Sequence, residues 1–414
     1  MKSQGVGTES AALPQAGEAA EFQFLSSHCA IRARGIFESI RIPVHQNSAG
    51  DAHFQRQLRD AFGRARAAGI ANPVAIGAIP FDLSQPCQLA IPRRYEVFSR
   101  ERECRPDADA ALPVRLLQRE SLPDEARFKQ SVRQAIANFQ LSDIRKAVLS
   151  RILRLELEKK LDLDAFFARL LAQNPSGYHF RLPLADGSEL IGASPELLVR
   201  RQGERIFSNP LAGSAKRRAD SVEDKKVGEG LLQSAKDASE HRLVIEDIRR
   251  QLQPLCEQLE IPDGPQLMST RAMWHLSTPI EGRLADTSLS ALQVACHLHP
   301  TPALCGYPTR QAHRLIQLVE PFERGLFGGI VGWCDAEGNG EWAVTIRCGI
   351  FSGRRAQLFA GAGIVEDSDP DSEWLETEAK LQTMLAALGV EQHAPRSGPR
   401  SAGENAPALA EAQV

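Results

Sequence analysis

Residues 347–380 hold the densest run of chemically capable side chains in the sequence, opening on Arg347, passing Gly361-Ala-Gly363 and closing on Glu373, Glu376 and Lys380. An arginine fork matches a carboxylate, and glycines without side chains let an anion approach backbone N–H groups. Together they describe a seat for a small acid. Glu376, Lys380 and Met384 fall at i, i+4 and i+8, so a helix there turns a carboxylate and an ammonium the same way as an apolar residue. Buried charge of that kind is expensive unless a metal or substrate answers it.

A second inward carboxylate follows from the apolar stripe Val244, Ile248, Leu252, Leu255 and Leu259, which extended back one turn lands on Glu240. Two inward glutamates far apart in sequence suit a hard divalent ion completed by water and substrate oxygens, as Mg²⁺ prefers. His241 beside it reads as a packing or hydrogen-bonding residue more readily than as a ligand. Lys146 opens an alternating run, sharing a face with Val148 and Ile152 while Ala147, Leu149 and Leu153 line the other. A sheet covered on both faces would desolvate it and favour the neutral amine; the alternative is a lysine at a strand start that reaches water. Glu196 follows a Ser-Pro kink close to Pro210-Leu-Ala-Gly-Ser214, where crowding would raise its pKa, unless it is simply a surface glutamate at a strand start.

Turns and helices must bring these groups together. A hairpin centred near Gly353 sets Arg347 opposite Ala360, and another near Gln202-Gly203 sets Glu196 opposite Asn209. Asp369 caps a helix with Pro370 at its first position. One long helix is expected over about 222–259, others near 53–68, 127–139 and 288–297, and a strand over 274–282 carrying His275. Prolines stiffen the loop His299–Gly306, and residues 335–339 form a hairpin turn. Residues 22–113 read as strands of an antiparallel sheet with no evident chemistry. All four tryptophans lie beyond residue 270, which places the larger core in the C-terminal half.

Composition narrows the class. The 414 residues are 43% hydrophobic and 24% charged with net charge -3, an ordinary globular balance without attraction to nucleic acid or acidic membranes. No apolar run approaches the roughly 20 residues of a membrane span and no secretory signal is evident, so a cytoplasmic protein is expected. The eight cysteines lack metal-ligand spacing and read as reduced core thiols. Residues 1–20 and 392–414 read as disordered tails around one domain, 21–391. Glu366 stands where a dinucleotide fingerprint needs its third glycine, and neither a phosphate loop nor a nucleophile elbow is present.

Ile191-Gly-Ala-Ser-Pro-Glu196, Pro210-Leu-Ala-Gly-Ser214, Trp274-His-Leu276, His299-Pro-Thr-Pro-Ala-Leu304, Phe327-Gly-Gly-Ile-Val-Gly332, Thr345-Ile-Arg347 and Phe359-Ala-Gly-Ala-Gly-Ile-Val365 occur in an order that resembles the chorismate-utilising enzymes, and within them the isochorismate synthases of siderophore pathways. The resemblance runs from about Arg127 to Leu388. It implies an α+β fold, a single large domain of two subdomains with stacked antiparallel sheets surrounded by helices and the site in a cleft. It further implies Lys146 as the base that activates water for C2 of chorismate and Glu196 as the acid at the C4 hydroxyl. Glu240 and Glu376 match Mg²⁺ ligands, with Asp237 and Glu373 holding its waters. Gly213, Ser214, His275, Ala303, Leu304, Arg347, Gly361 and Lys380 match the substrate lining. Ala212 replaces the lysine nucleophile of the aminodeoxychorismate synthases, and Lys146 separates the chain from the ammonia-using anthranilate synthases. Salicylate synthase is the alternative; Phe327 and Ile346 resemble the pattern without the lyase step. A small-molecule substrate, no amidotransferase subunit and a monomer are expected.

Overall fold

The computed structural model describes residues 20–44, 53–100 and 114–390. The expected tails lie, apart from Ala20, outside the described residues. Every strand pairing is antiparallel, and the pairings can be followed as one path. It starts at Leu116–Leu122 and runs through Lys146–Leu157, Arg355–Ile364, Cys348–Ser352, Glu189–Ser194 and Tyr178–Pro183. From there Glu21–Leu25, Ala30–Ile40, Gln88–Phe98 and Val74–Ile79 carry it round to Ile330–Asp335 and Gly340–Val344. Leu197–Gln202, Arg205–Asn209, Ile280–Leu284 and Cys256–Glu260 complete it. A separate three-stranded sheet joins Leu211–Lys216, Met273–Ser277 and Gln266–Ser269.

The path folds back on itself into two packed layers. Ile152, Phe180, Leu190 and Phe359 from its first part meet Ile76, Ala78, Val331 and Ala343 from its later part in a core made almost wholly of strand residues. Helices cover the outside: Leu163–Gln173 and Pro370–Leu388 pack on one layer, and His53–Ala67, Ala235–Leu252 and Ala291–Leu298 pack on the other. Period-two alternation explains the double burial of the strand Lys146–Leu157, since Leu153 and Leu155 join the helix-side core while Ile152 faces the opposite layer. The same alternation buries Arg151, and there polar partners take up its charge. Its guanidinium donates to Thr377 Oγ1 at 2.7 Å and Ser121 Oγ at 3.0 Å, pairs with Glu378 at 2.5 Å and lies 3.9 Å over the Trp374 ring.

Several expected elements are divided. The long helix is two, Ser221–Gln233 and Ala235–Leu252, because Ser234 stops the first and caps the second, its hydroxyl accepting from Asp237 N at 3.2 Å. The second helix ends at Leu252, so Leu255 and Leu259 leave the stripe, one in a 3₁₀ turn after Pro254 and the other in the strand Cys256–Glu260. The 274–282 strand breaks at Thr278-Pro279 and its halves enter different sheets. The largest core draws on both halves of the chain, since Trp342 sits in a cluster that begins at Ile40 and includes the helix His53–Ala67.

Two crossovers matter for the site. Glu189–Ser194 and Leu197–Gln202 are consecutive in sequence but belong to different layers, and so are Gly340–Val344 and Cys348–Ser352. The chain passes between layers at Pro195-Glu196 and at Thr345-Ile346-Arg347. These crossings run side by side, with Val344 N donating to Glu196 O at 3.1 Å and Ala193 N to Arg347 O at 3.0 Å. Arg347 has φ of 49°, the only positive value outside glycine among the described residues, a conformation that costs about 1–2 kcal/mol.

Candidate active site

Where the layers part, a cavity opens to solvent, lined by both crossovers, with about 700 Å³ of empty space that includes its open mouth. Of the residues singled out in the sequence, Glu196, Gly213, Ser214, Glu240, His275, Ala303, Leu304, Arg347, Gly361, Glu376 and Lys380 all stand on its wall. Lys146, Asp237 and Glu373 do not; they lie directly behind it.

The hairpin at Gly353 pairs Ser352 with Arg355 and Gly349 with Leu358, a register that, extended, brings Arg347 level with Ala360 as expected. The other hairpin does not keep its expected register, because the chain turns at Gly203-Glu204, one residue later, with Gln202 opposite Arg205. A bulge between Phe207 and Asn209 recovers only one position, setting Asn209 opposite Leu197 and leaving Glu196 just beyond the ladder, in the crossover. There its Oε1 accepts from Leu211 N at 3.3 Å. Burial pushes the Glu196 carboxyl up to about 7, against the pull of that bond and of Lys146, Arg347 and Lys380.

Three ion pairs answer the acidic groups. Lys146, fully buried, sits with Nζ 2.8 Å from Glu240 Oε1. Lys380 lies 2.6 Å from Glu376 Oε1 and donates to Gly361 O at 2.8 Å. Lys236 lies 2.8 Å from Glu373 Oε1, which also accepts from Ser368 at 2.7 Å. Burial and the neighbouring Glu376 raise the Glu373 carboxyl, and burial raises that of Asp237. Glu376 is held low despite its burial by Lys380 and by Ser214, whose hydroxyl donates to it at 2.9 Å. Lys146 thus does not reach water, and its Nζ faces the Glu240 carboxylate instead.

Gly363 makes this arrangement possible, because a Cβ there would lie 2.3 Å from Glu240 Oε1 and 3.0 Å from Lys146 Cε. Arg347 is buried yet makes no side-chain hydrogen bond to the described residues; burial lowers it to about 10, so it stays a cation. His275 is held well below its usual range by burial and by Arg347 and Lys380, and its Nε2 has no partner. His241 is satisfied by Ala212 O at 3.1 Å and Thr278 Oγ1 at 2.7 Å, as a packing histidine should be.

Sequence reasoning missed several wall residues. Arg324 pairs with Glu320 through Nε at 2.8 Å and donates to Leu304 O at 2.8 Å and Val148 O at 2.6 Å, tying the 299–306 loop to the strand beneath the cavity. Glu320 also accepts from Ser150 N at 2.7 Å. The i, i+4 spacing of Glu320 and Arg324 was the available signal, but on a sequence it resembles any exposed helical pair. Ser150, Phe359 and Val148 also line the wall, with the Ser150 hydroxyl buried and unpartnered.

The sequence profile of the family described as chorismate binding enzyme matches residues 87–389. The chain belongs to the chorismate-binding enzymes. It is 45% identical to the isochorismate synthase EntC of Escherichia coli K12 over 374 residues, 89% of this chain and 95% of that one. It is 43% identical to the vibriobactin-specific isochorismate synthase of Vibrio cholerae over 82% of this chain and 85% of that one. The crystal structure of Bacillus anthracis DhbC superimposes with a TM-score of 0.83 at 38% identity, covering 91% of this chain and 98% of that one. The α+β fold of stacked antiparallel sheets within helices is thus that of this enzyme family.

Among the described residues no three His, Cys, Asp or Glu side chains cluster to hold a metal. Glu240 and Glu376 nevertheless fit Mg²⁺ with water and substrate completing its shell. Each presents an oxygen, Oε2, without a hydrogen bond to the described residues, on the wall of the same cavity.

Proposed function

We propose that the protein is a Mg²⁺-dependent isochorismate synthase that converts chorismate to isochorismate for siderophore biosynthesis. The observation that carries the reading is one cavity whose wall holds a carboxyl poised near neutrality, Glu196, and the unpartnered Arg347 guanidinium, with the buried lysine Lys146 directly behind it. The names of the relatives above support the same activity.

In this reading Arg347 and the Gly361 backbone seat a substrate carboxylate. Glu240 and Glu376 would hold Mg²⁺, which when bound neutralises the ring carboxylate. Lys146, in its neutral amine form, takes a proton from the water that attacks C2. Glu196, protonated at neutral pH, gives its proton to the departing C4 hydroxyl, so water is gained and lost and the mass does not change. Each such transfer is worth about 10²- to 10⁴-fold in rate. Asp237 and Glu373, behind the wall, would position waters of the metal.

The test is incubation of purified protein with chorismate and Mg²⁺, without ammonia. A product of unchanged mass is expected. Pyruvate release would convict the reading in favour of salicylate synthase, and the absence of any turnover would reject it.

A further inference from the structure

A second concavity, with about 780 Å³ of empty space, adjoins the active cavity across the strand Leu211–Lys216 and the helix Pro370–Leu388. Its lining includes Lys216, Arg217, Arg218 and Arg271 and no acidic residue. Ser214 lines the active cavity and Lys216 this one, and residues two apart on a strand share a face at a separation of about 7 Å. On the helix, Lys380 faces the active cavity while Ala379 and Thr383 face the basic one.

Two nearby acids, Asp224 and Asp220, are already committed. Asp224 accepts from Arg217 at 2.7 and 2.9 Å, from Arg218 N at 2.8 Å and from the Trp274 indole at 3.1 Å. Asp220 caps the helix Ser221–Gln233 through Val222 N and Glu223 N. The side chains of Lys216, Arg218 and Arg271 are exposed and have no hydrogen bond or ion pair with the described residues. Three uncancelled cations therefore ring one depression, although the whole chain carries a net charge of -3.

We propose that Lys216, Arg218 and Arg271 form an electrostatic vestibule that gathers a small dicarboxylate before it enters the active cavity. The inference rests on the reading above, in which the substrate is a dianion. Charges of one sign around a concave surface raise the local concentration of the opposite ion and its rate of capture, and salt weakens the effect. A dianion about 10 Å from each of three unit charges in water, damped by a screening length of about 10 Å at 0.1 M, is favoured about fivefold.

The experiment compares the full-length protein with its Lys216→Gln, Arg218→Gln, Arg271→Gln triple variant at chorismate concentrations spanning KM, from about 0.02 to 0.5 M ionic strength. The vestibule predicts kcat unchanged, kcat/KM about fivefold lower at 0.1 M, and a shallower fall of kcat/KM with salt. Should the triple variant not fold, each single substitution is expected to lower kcat/KM about 1.7-fold. Unchanged kcat/KM and an unchanged salt slope would overturn the vestibule alone, as would a fall confined to kcat. No turnover by the unsubstituted protein would reject the proposed function, and the vestibule with it.

Discussion

Replacing Gly363 by alanine tests how tightly the site depends on one missing methyl group. The added Cβ would lie 2.3 Å from Glu240 Oε1 and 3.0 Å from Glu240 Cδ. Ordinary contact needs about 3.5 Å, so the carboxylate must move by about 1 Å. It is the end of a rotatable side chain, so the backbone can stay in place. What is lost is the 2.8 Å approach to Lys146, whose ammonium has no water to fall back on. Overpacking and a weakened buried pair together cost about 1–3 kcal/mol, and displacement of a reacting group by about 1 Å costs about 10²-fold in rate. Urea unfolding and turnover of chorismate measure the two effects. Gly361→Ala provides the contrast in stability, because its Cβ would meet the Ser150 hydroxyl at 2.7 Å, a group that bonds to nothing and can rotate away. A Gly363→Ala protein with parental stability and rate would refute the reasoning.

Lys146→Gln and Glu196→Gln should each reduce conversion by at least about 10²-fold with the circular dichroism spectrum intact, whereas a parental rate in either would remove the assigned role. If Glu196 acts as an acid, kcat/KM should decline about tenfold per pH unit above about 7, and a flat profile to pH 9 would contradict it. Burial also lifts Glu341 to about 7, with Ser26 donating to it at 2.7 Å. A carboxyl raised on folding contributes stability that is complete below its unfolded value near 4.5 and lost as pH rises through about 7. Glu341→Gln should therefore flatten the loss of stability between pH 5 and 8, by up to about 3 kcal/mol in urea titrations. With lysines paired to Glu240, Glu373 and Glu376, Mg²⁺ alone meets the like charge of the lysines and the dianion alone the like charge of the carboxylates. Calorimetry should show each binding more tightly in the presence of the other, and independent binding would count against the shared site.

Patterns that depend on neighbours in sequence were legible before any coordinates. The alternation around Lys146, the Asp369-Pro370 helix start and the inward turn of Glu240 and Glu376 are local consequences of strand and helix periods. Breaks were harder to see. Ser234 looks like one more polar residue on a helix, and only its hydrogen bond to Asp237 N shows that it ends one helix and begins another. The hairpin closes on Gly203-Glu204, one residue beyond the Gln202-Gly203 pair, and the bulge before Asn209 shifts the register again without a glycine or proline at the bulged position to announce it. Arg324 was hidden because its partners, Val148 and Leu304, are backbone carbonyls remote in sequence, and a carbonyl leaves no mark on residue identity.

Glu196 and Arg347 ride on two neighbouring spans that are stitched to each other through Val344 N and Ala193 N. Any slip of one sheet layer over the other would tug on both spans at once, so proton donor and carboxylate anchor would shift in concert. Mechanical noise in the scaffold would then blur the placement of the guest far more than the distance between these two residues. The amides of Ala193 and Val344 are accordingly natural gauges of that motion by hydrogen exchange.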